Sequence, residues 1–159
     1  MGTLLQEPRP TLAPSAAPPG IVAWLGYGGL IPFVGLAAAA LTVGTLAGID
    51  CRHALIAYGA VILSFVGALH WGFAMTQTTL PTDERTAAWL WSVVPALLGW
   101  TALLLPTRAA ALLLIAGFLV HYARDRHLTP LASLPAWYLP LRLRLTTVAC
   151  LCVLAGAAR

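Results

Sequence analysis

Lysine is absent from this 159-residue chain, and charged residues of all kinds make up only 9% of it. Its nine basic residues are all arginines, against five acidic residues. A soluble domain carries about 25% charged residues. Because 60% of the residues are hydrophobic, a core of this size cannot bury all the apolar surface, and the remainder must face lipid. The composition therefore predicts an integral membrane protein.

Motifs that carry chemistry are also missing. The chain has no CxxC, HExxH or GxSxG motif and no phosphate-binding glycine loop. Its three cysteines do not form a complete disulfide framework, and Cys150 and Cys152 point to different sides of a helix. The net charge of +4 is dispersed, whereas a nucleic-acid surface needs a clustered basic face. We therefore predict no catalytic residue, no metal site and no nucleic-acid partner.

Residues 1–20 contain five prolines and almost no long apolar side chains, which predicts a disordered tail. This tail lacks the pattern of a cleavable secretory signal. We expect residues 21–159 to form a single transmembrane domain, an all-α polytopic helix bundle of about five spans kinked at Pro32 and Pro95. The predicted spans cover residues 21–47, 54–75, 86–105, 109–122 and 141–158.

Span two has no charged residue, and we expect the bundle to be organised around it. Small residues recur in this span at four-residue spacing. Lipid gives no hydrophobic drive for helix association, and small residues let neighbouring backbones approach closely. We therefore predict that one file of residues packs against other helices: Ala60, Ser64, Ala68 and Gly72.

The segment 128–141 is ambiguous. Its three prolines, of which Pro130 is the first, forbid one continuous helix, while Trp137 and Tyr138 favour a location in the membrane interface. The sequence leaves open whether this segment lies in the interface or in the aqueous phase. Arginine counting favours a cytoplasmic N-terminus and an external C-terminus, since six arginines then lie inside and three outside.

Four stretches of the chain carry a resemblance to a known family: LGYGGLIPF (Leu25–Phe33), AYGAVILSFVGALHWG (Ala57–Gly72), WSVVPALLGW (Trp91–Trp100) and PAWYLPLRLRLT (Pro135–Thr146). In these stretches the chain resembles a small family of bacterial inner-membrane proteins built on a domain of unknown function, similar to the mitochondrial transmembrane protein 69 of animals. The resemblance covers roughly residues 24–155. It implies a polytopic protein of the bacterial inner membrane and supplies no catalytic residues.

Polar side chains at membrane depth are costly, so they are the candidates for a functional site. His70 and His121 lie near the inner ends of spans two and four, and we expect His70 to face the protein interior. Trp71 adjoins His70, while Glu84 and Asp125 lie in adjoining inner segments. Such a group could relay protons, meet a quinone headgroup or ligate haem. The alternative is that both histidines only make structural or interfacial hydrogen bonds.

Two functions from different classes follow. The first is a non-enzymatic scaffold or assembly partner of a larger membrane complex, which fits the small-residue files, the short loops and the lack of reactive motifs. The second is a small proton-, quinone- or haem-linked membrane protein that uses His70 and His121. The lipid bilayer is the expected partner in both cases. No cofactor is predicted under the first function, and haem or quinone only under the second.

Overall fold

The computed structural model describes residues 17–78 and 80–158, and over these residues the chain is an all-α helix bundle with one short β-hairpin. This confirms the fold class predicted from the sequence. The predicted disordered tail lies outside the described residues at positions 1–16. In chain order the elements are α1 (Gly20–Gly28), α2 (Leu30–Thr42), β1 (Thr45–Leu46), β2 (Ile49–Asp50), α3 (Cys51–Thr76), α4 (Thr82–Leu103), α5 (Thr107–Leu131) and α6 (Tyr138–Ala157).

Four helical segments are long and apolar enough to cross a membrane: Gly20–Thr42 (formed by α1 and α2), α3, α4 and α6. Helix α5 has 25 residues, or about 37 Å, but its second half carries the charged run Arg124-Asp125-Arg126. It packs against α3, α4 and α6. The predicted fourth span therefore exists as a helix of the bundle, while the count of five membrane crossings stays a prediction.

The hairpin between α2 and α3 makes these helices antiparallel neighbours. Strands β1 and β2 pair across a two-residue turn, with Leu46 opposite Ile49. Gly44 and Gly48, which flank β1 and its turn, have φ angles of +72° and +82°. Glycine adopts this left-handed conformation without the steric cost that a side chain would bring. The chain can therefore reverse direction within a few residues.

Helix α3 begins directly after Asp50, which caps it. Asp50 Oδ1 accepts hydrogen bonds from the backbone N–H groups of Arg52 (2.8 Å) and His53 (3.1 Å). These bonds, the one from His53 foremost, stabilise the carboxylate and lower the pKa of Asp50. The cap satisfies backbone donors that the first helical turn would otherwise leave without partners.

Two helices end at residues that differ from the bounds of the predicted spans. Span one was predicted to reach residue 47, but α2 ends at Thr42 because Gly44 turns left-handed and its N–H bonds the Ala39 carbonyl at 2.9 Å. Span four was predicted to end at residue 122, but α5 continues to Leu131 with Pro130 inside its last turn. A proline there removes one hydrogen bond near a helix end, which costs less than in the interior. The charged run at residues 124–126 does not end the helix, because Asp125 is paired with Arg142 inside the bundle.

The extension of α5 shortens the ambiguous segment to a turn over residues 132–137. Ser133 has a φ angle of 48° in this turn. Helix α6 then begins at Tyr138. The three prolines are thus divided between the end of α5, the turn and the first turn of α6.

The helical pattern breaks between α1 and α2 at Gly29, three residues before Pro32. Pro32 has no N–H for the carbonyl of Gly28, which is consistent with a discontinuity at this point. Helix α4, in contrast, runs through Pro95 without interruption. The kinks predicted at the two prolines stay predictions.

Helices α3 and α4 pack closely because glycines of each leave room for atoms of the other. A Cβ atom built on Gly67 would lie 2.7 Å from Cβ of Pro95, and one on Gly99 would lie 2.8 Å from the carbonyl oxygen of Ala60. Both distances are far below van der Waals contact. Removal of the side chain at these positions therefore sets how near the two backbones come.

The predicted small-residue file coincides with this interface only at its start. Ala60 is buried and Ser64 half-buried, whereas Ala68 and Gly72 are exposed. A four-residue step on an α-helix turns by about 400°, or 40° past a full turn, so three steps rotate the file about 120° around the helix. The buried face instead follows alternating steps of three and four residues: Ile56, Ala60, Leu63, Gly67, His70 and Ala74. The prediction that Ala68 faces another helix of this chain is therefore wrong.

Gly67 and its neighbour Ala68 allow a matched test of this packing. We expect Gly67→Ala to lower the free energy of unfolding by about 1–3 kcal/mol, since the new methyl group meets the Pro95 ring. Ala68→Leu adds more volume at an exposed position and should leave stability unchanged. Thermal unfolding of the two purified variants in detergent measures both effects. The opposite ranking would show that α4 does not lie against Gly67.

Candidate functional site: a buried histidine, aspartate and arginine cluster

The side chain of Asp125 on α5 lies at the centre of a polar cluster inside the bundle. Its Oδ2 accepts a hydrogen bond of 2.7 Å from Nε of Arg142 on α6, and its Oδ1 lies 2.9 Å from Nε2 of His70 on α3. Asp125 and His70 are fully buried, and Arg142 is 7% exposed. Three helices thus meet at one carboxylate through charge-assisted hydrogen bonds, which are stronger than neutral ones.

A second histidine extends the cluster towards α4. Nδ1 of His121 accepts a hydrogen bond of 3.1 Å from the indole N–H of Trp91. Nε2 of His121 lies 3.7 Å from Oδ1 of Asp125, which is an ion-pair distance but too long for a hydrogen bond. The rings of His70 and His121 have centroids 4.9 Å apart. The cluster therefore joins residues from all four helices α3 to α6.

The partners of the two rings assign their protons. An indole N–H can only donate, so neutral His121 accepts at Nδ1 and carries its proton on Nε2. A carboxylate can only accept, so His70 carries a proton on Nε2, which points to Asp125. His70 Nδ1 is buried and has no hydrogen-bond partner among the described residues. In neutral His70 this atom holds a free lone pair.

The elements place these residues at a common depth. His70 lies six residues before the end of α3, and Asp125 lies six residues before the end of α5, each about 9 Å along the helix axis. Arg142 lies four residues after the start of α6, which is about 6 Å. Because successive helices are antiparallel, these three ends lie on the same side of the bundle. The cluster is therefore buried but close to one end.

Three of the five predicted site residues come together, namely His70, His121 and Asp125. His70 faces the protein interior, as expected from the sequence, and contacts Asp125 on α5. Trp71 and Glu84 lie elsewhere. The Trp71 ring is half exposed and packs edge-on against Trp89, with centroids 4.5 Å apart. Glu84 instead pairs with the exposed His127, with a distance of 3.0 Å from Oε1 to Nε2.

Sequence reasoning missed Arg142 and Trp91 as members of the site. In the sequence Arg142 is one of the six arginines counted on the inner side, and Trp91 lies near the start of span three at a depth close to that of His70. A signal for Arg142 was present, because a carboxylate in a buried helix needs a positive partner and Arg142 is at the depth of Asp125 in the next helix. The rotation that aims the arginine inwards depends on tertiary packing.

Within the described chain, one trio of side chains has the composition of a metal site: His70, His121 and Asp125 each offer one atom, and these atoms lie within 4.8 Å of one another. An ion at this place would compete with the hydrogen bonds described above. Both histidines carry their proton on the nitrogen that faces Asp125, so neither offers a lone pair there. The guanidinium of Arg142 already occupies the other carboxylate oxygen.

The paired charges give a testable stability pattern. We expect Arg142→Met to lower the free energy of unfolding by about 3–5 kcal/mol, because it leaves the Asp125 carboxylate without its positive partner in a buried site. The double variant Arg142→Met with Asp125→Leu should recover most of this loss. Thermal unfolding of the single and double variants forms a double-mutant cycle. Purely additive effects would contradict a direct interaction.

Comparison with known proteins finds one family model and relatives that are named as transmembrane proteins. Residues 18–158 match the model of a family described as "Protein of unknown function (DUF3429)". The chain is 41% identical to transmembrane protein 69 of Xenopus tropicalis over 130 residues, covering 79% of this chain and 49% of the frog protein. It is 31% identical to the mouse protein of the same name over 149 residues, covering 92% of this chain and 54% of the mouse protein. The chain thus spans about half the length of these relatives.

No solved structure matches the chain. The family match covers nearly all of the helix bundle, and the relatives' name agrees with its apolar helices. This chain is therefore a multi-pass membrane protein that belongs to the DUF3429 family of proteins of unknown function.

Proposed function

We propose that this protein handles protons, with His70 as the group that takes up and releases a proton inside the membrane domain. The observation that carries this proposal concerns His70. Its buried Nδ1 has no hydrogen-bond partner within residues 17–78 and 80–158, while its Nε2–H donates to Asp125. Ionisable groups at membrane depth are costly, and a functional role is the default hypothesis for them. Histidine is also the side chain whose charge changes most readily near neutral pH.

The charges around His70 suit reversible protonation. When His70 is neutral, Arg142 balances Asp125 and the cluster carries no net charge. A proton on His70 Nδ1 adds one positive charge, which Asp125 stabilises and burial penalises. Because these opposing contributions are both large in a low-dielectric site, small movements of the surrounding helices change the balance. The proton occupancy of His70 is thus sensitive to the conformation of the bundle.

His121 has a different part in this proposal. A proton on its Nδ1 would displace the hydrogen bond from Trp91, so His121 is held neutral while that bond lasts. It then fixes the ring of Trp91 and fills the space beside His70. We assign His121 and Trp91 to positioning, and His70 to proton uptake.

We further infer the bacterial inner membrane as the location, with the N-terminus in the cytoplasm and the C-terminus outside. The distribution of six arginines against three supports this orientation, which puts the cluster near the cytoplasmic face. A reporter that is active only in the cytoplasm, fused after Arg159, should therefore be inactive. The same reporter inserted in the turn at residues 132–137 serves as the positive control. Activity after Arg159 would reverse the orientation or change the number of crossings.

A role as scaffold or assembly partner is the second candidate. One observation favours it: Ala68 and Gly72 are exposed on α3 at the spacing that lets another helix approach closely. A helix of a partner protein could pack on this surface. Under this function the polar cluster would serve only to hold α3, α5 and α6 together.

Histidine NMR separates the two candidates. In protein labelled with ¹⁵N-histidine and reconstituted in nanodiscs, the chemical shifts of the ring nitrogens report whether His70 takes up a second proton over the pH range in which the protein stays folded, as the proton function requires. His121 should keep the neutral form with its proton on Nε2, because Trp91 holds Nδ1. His70→Gln assigns the titrating signal by removing it and keeps a hydrogen-bonding side chain in place.

His127→Gln is the matched control, since His127 is exposed and outside the cluster. It should remove a different signal and leave the titration of His70 intact. A His70 ring that keeps one protonation state over the whole range would contradict the proton function. That result would leave the scaffold as the better reading.

A further inference from the structure

A cavity of about 620 Å³ lies beside the cluster, between the first helical segment, α3 and α6. Its walls are almost entirely apolar. The polar exceptions are Arg142, Tyr138 and Thr146, all on α6. The volume is in the range of sites for small organic ligands, which combine apolar walls with a few polar groups that fix orientation.

The polar groups of this cavity are short of partners. Nη2 of Arg142, the hydroxyl of Tyr138 and Oγ1 of Thr146 are each buried, and none makes a hydrogen bond of good geometry in the part of the chain that the structure describes, although the Tyr138 hydroxyl lies near Asp125 and Arg142. All three side chains are more than nine-tenths buried. An unsatisfied buried polar group costs about 1–3 kcal/mol. Three such groups on one wall indicate that a ligand with hydrogen-bonding atoms completes the site.

The cavity opens towards the lipid. Leu25 on α1 and Phe65 on α3 both line it, and both side chains are largely exposed on the outer surface of the bundle. In a membrane that surface faces acyl chains. An apolar tail can therefore pass between α1 and α3 and leave the headgroup beside α6.

We propose that this cavity binds a lipid-soluble quinone, with its ring carbonyl oxygens accepting hydrogen bonds from Arg142, Tyr138 and Thr146. All three side chains can donate, and quinone carbonyls can only accept. Charge complementarity favours a quinone over a phospholipid. Asp125 already balances Arg142, so the polar wall carries no net positive charge for a phosphate group. The apolar walls and the lipid-facing mouth fit a flat ring with an isoprenoid tail.

This inference rests on the proposed function in one respect, because Arg142 belongs to both sites. Its Nε donates a hydrogen bond to Asp125, and the same residue lines the cavity. Binding can nevertheless be measured without reference to proton uptake. His70 and His121 do not line the cavity, so variants at the two sites can be kept apart.

The probe is decylubiquinone, added to the purified protein in detergent, with binding followed by quenching of tryptophan fluorescence. We expect Tyr138→Phe and Thr146→Val, each of which removes one hydroxyl and keeps the shape of the side chain, to weaken binding about 3- to 10-fold each. Tyr122→Phe removes a hydroxyl from a half-buried tyrosine that does not line the cavity. It should bind the probe like the original protein.

A second pair of variants tests the cavity rather than its polar wall. Val22 lines the cavity near its mouth, whereas the adjacent Ile21 is exposed and does not. Val22→Trp should reduce binding at least 10-fold by filling the mouth, and Ile21→Trp should leave it unchanged. Unfolding temperatures of all variants establish that each one is folded.

Equal binding by the folded variants and the original protein, or no saturable binding at all, would overturn the inference. Displacement of the probe by phosphatidylglycerol at equal concentration would identify a phospholipid site and reject the quinone. The histidine titration has an independent readout. If His70 changes its protonation state and the probe does not bind, the proton function stands and the quinone site is rejected. If the probe binds and His70 keeps one protonation state, only the proton function is rejected.

Discussion

Much of this structure depends on the neutralisation of one carboxylate. Asp125 is fully buried in a chain that has few charged residues, and an isolated charge there would cost far more than the marginal stability of a domain. The hydrogen bonds from Arg142 and His70 remove that cost only when α3, α5 and α6 have the correct rotation and depth. The cluster thus specifies how helices pack that apolar contacts alone would position loosely.

The sequence predicted the parts of the fold that depend on local composition. The fold class followed from apolar length, and three members of the cluster followed from the cost of polar groups at membrane depth. Arg142 escaped because an arginine near a helix end has two stable arrangements: it can extend to the headgroups or turn to a buried partner. The rotation of α6 about its axis decides between these arrangements. The spacing of apolar residues in α6 does not predict that rotation.

The face of α3 shows a second limit. A file with a strict spacing of four residues looks continuous in the sequence but turns around the helix, so Ala68 and Gly72 leave the interface that Ala60 begins. The steps that keep one face buried alternate between three and four residues, and they select Gly67 and His70 instead. The same alternating steps place the polar site inside the bundle, since His70 lies one turn from Gly67, the glycine that accommodates Pro95.

The two-sided position of Arg142 has a thermodynamic consequence. Its guanidinium is a single delocalised charge. Nε donates a hydrogen bond to Asp125, Nη2 is buried without a partner among the described residues, and Arg142 also lines the cavity. A ligand that accepts a hydrogen bond from Nη2 changes the strength of the interaction between the guanidinium and Asp125. It thereby changes how strongly the Asp125 carboxylate stabilises a proton on His70. By linkage, protonation of His70 must then change the affinity of the cavity for that ligand by the same factor. One side chain would couple the two sites without movement of a helix.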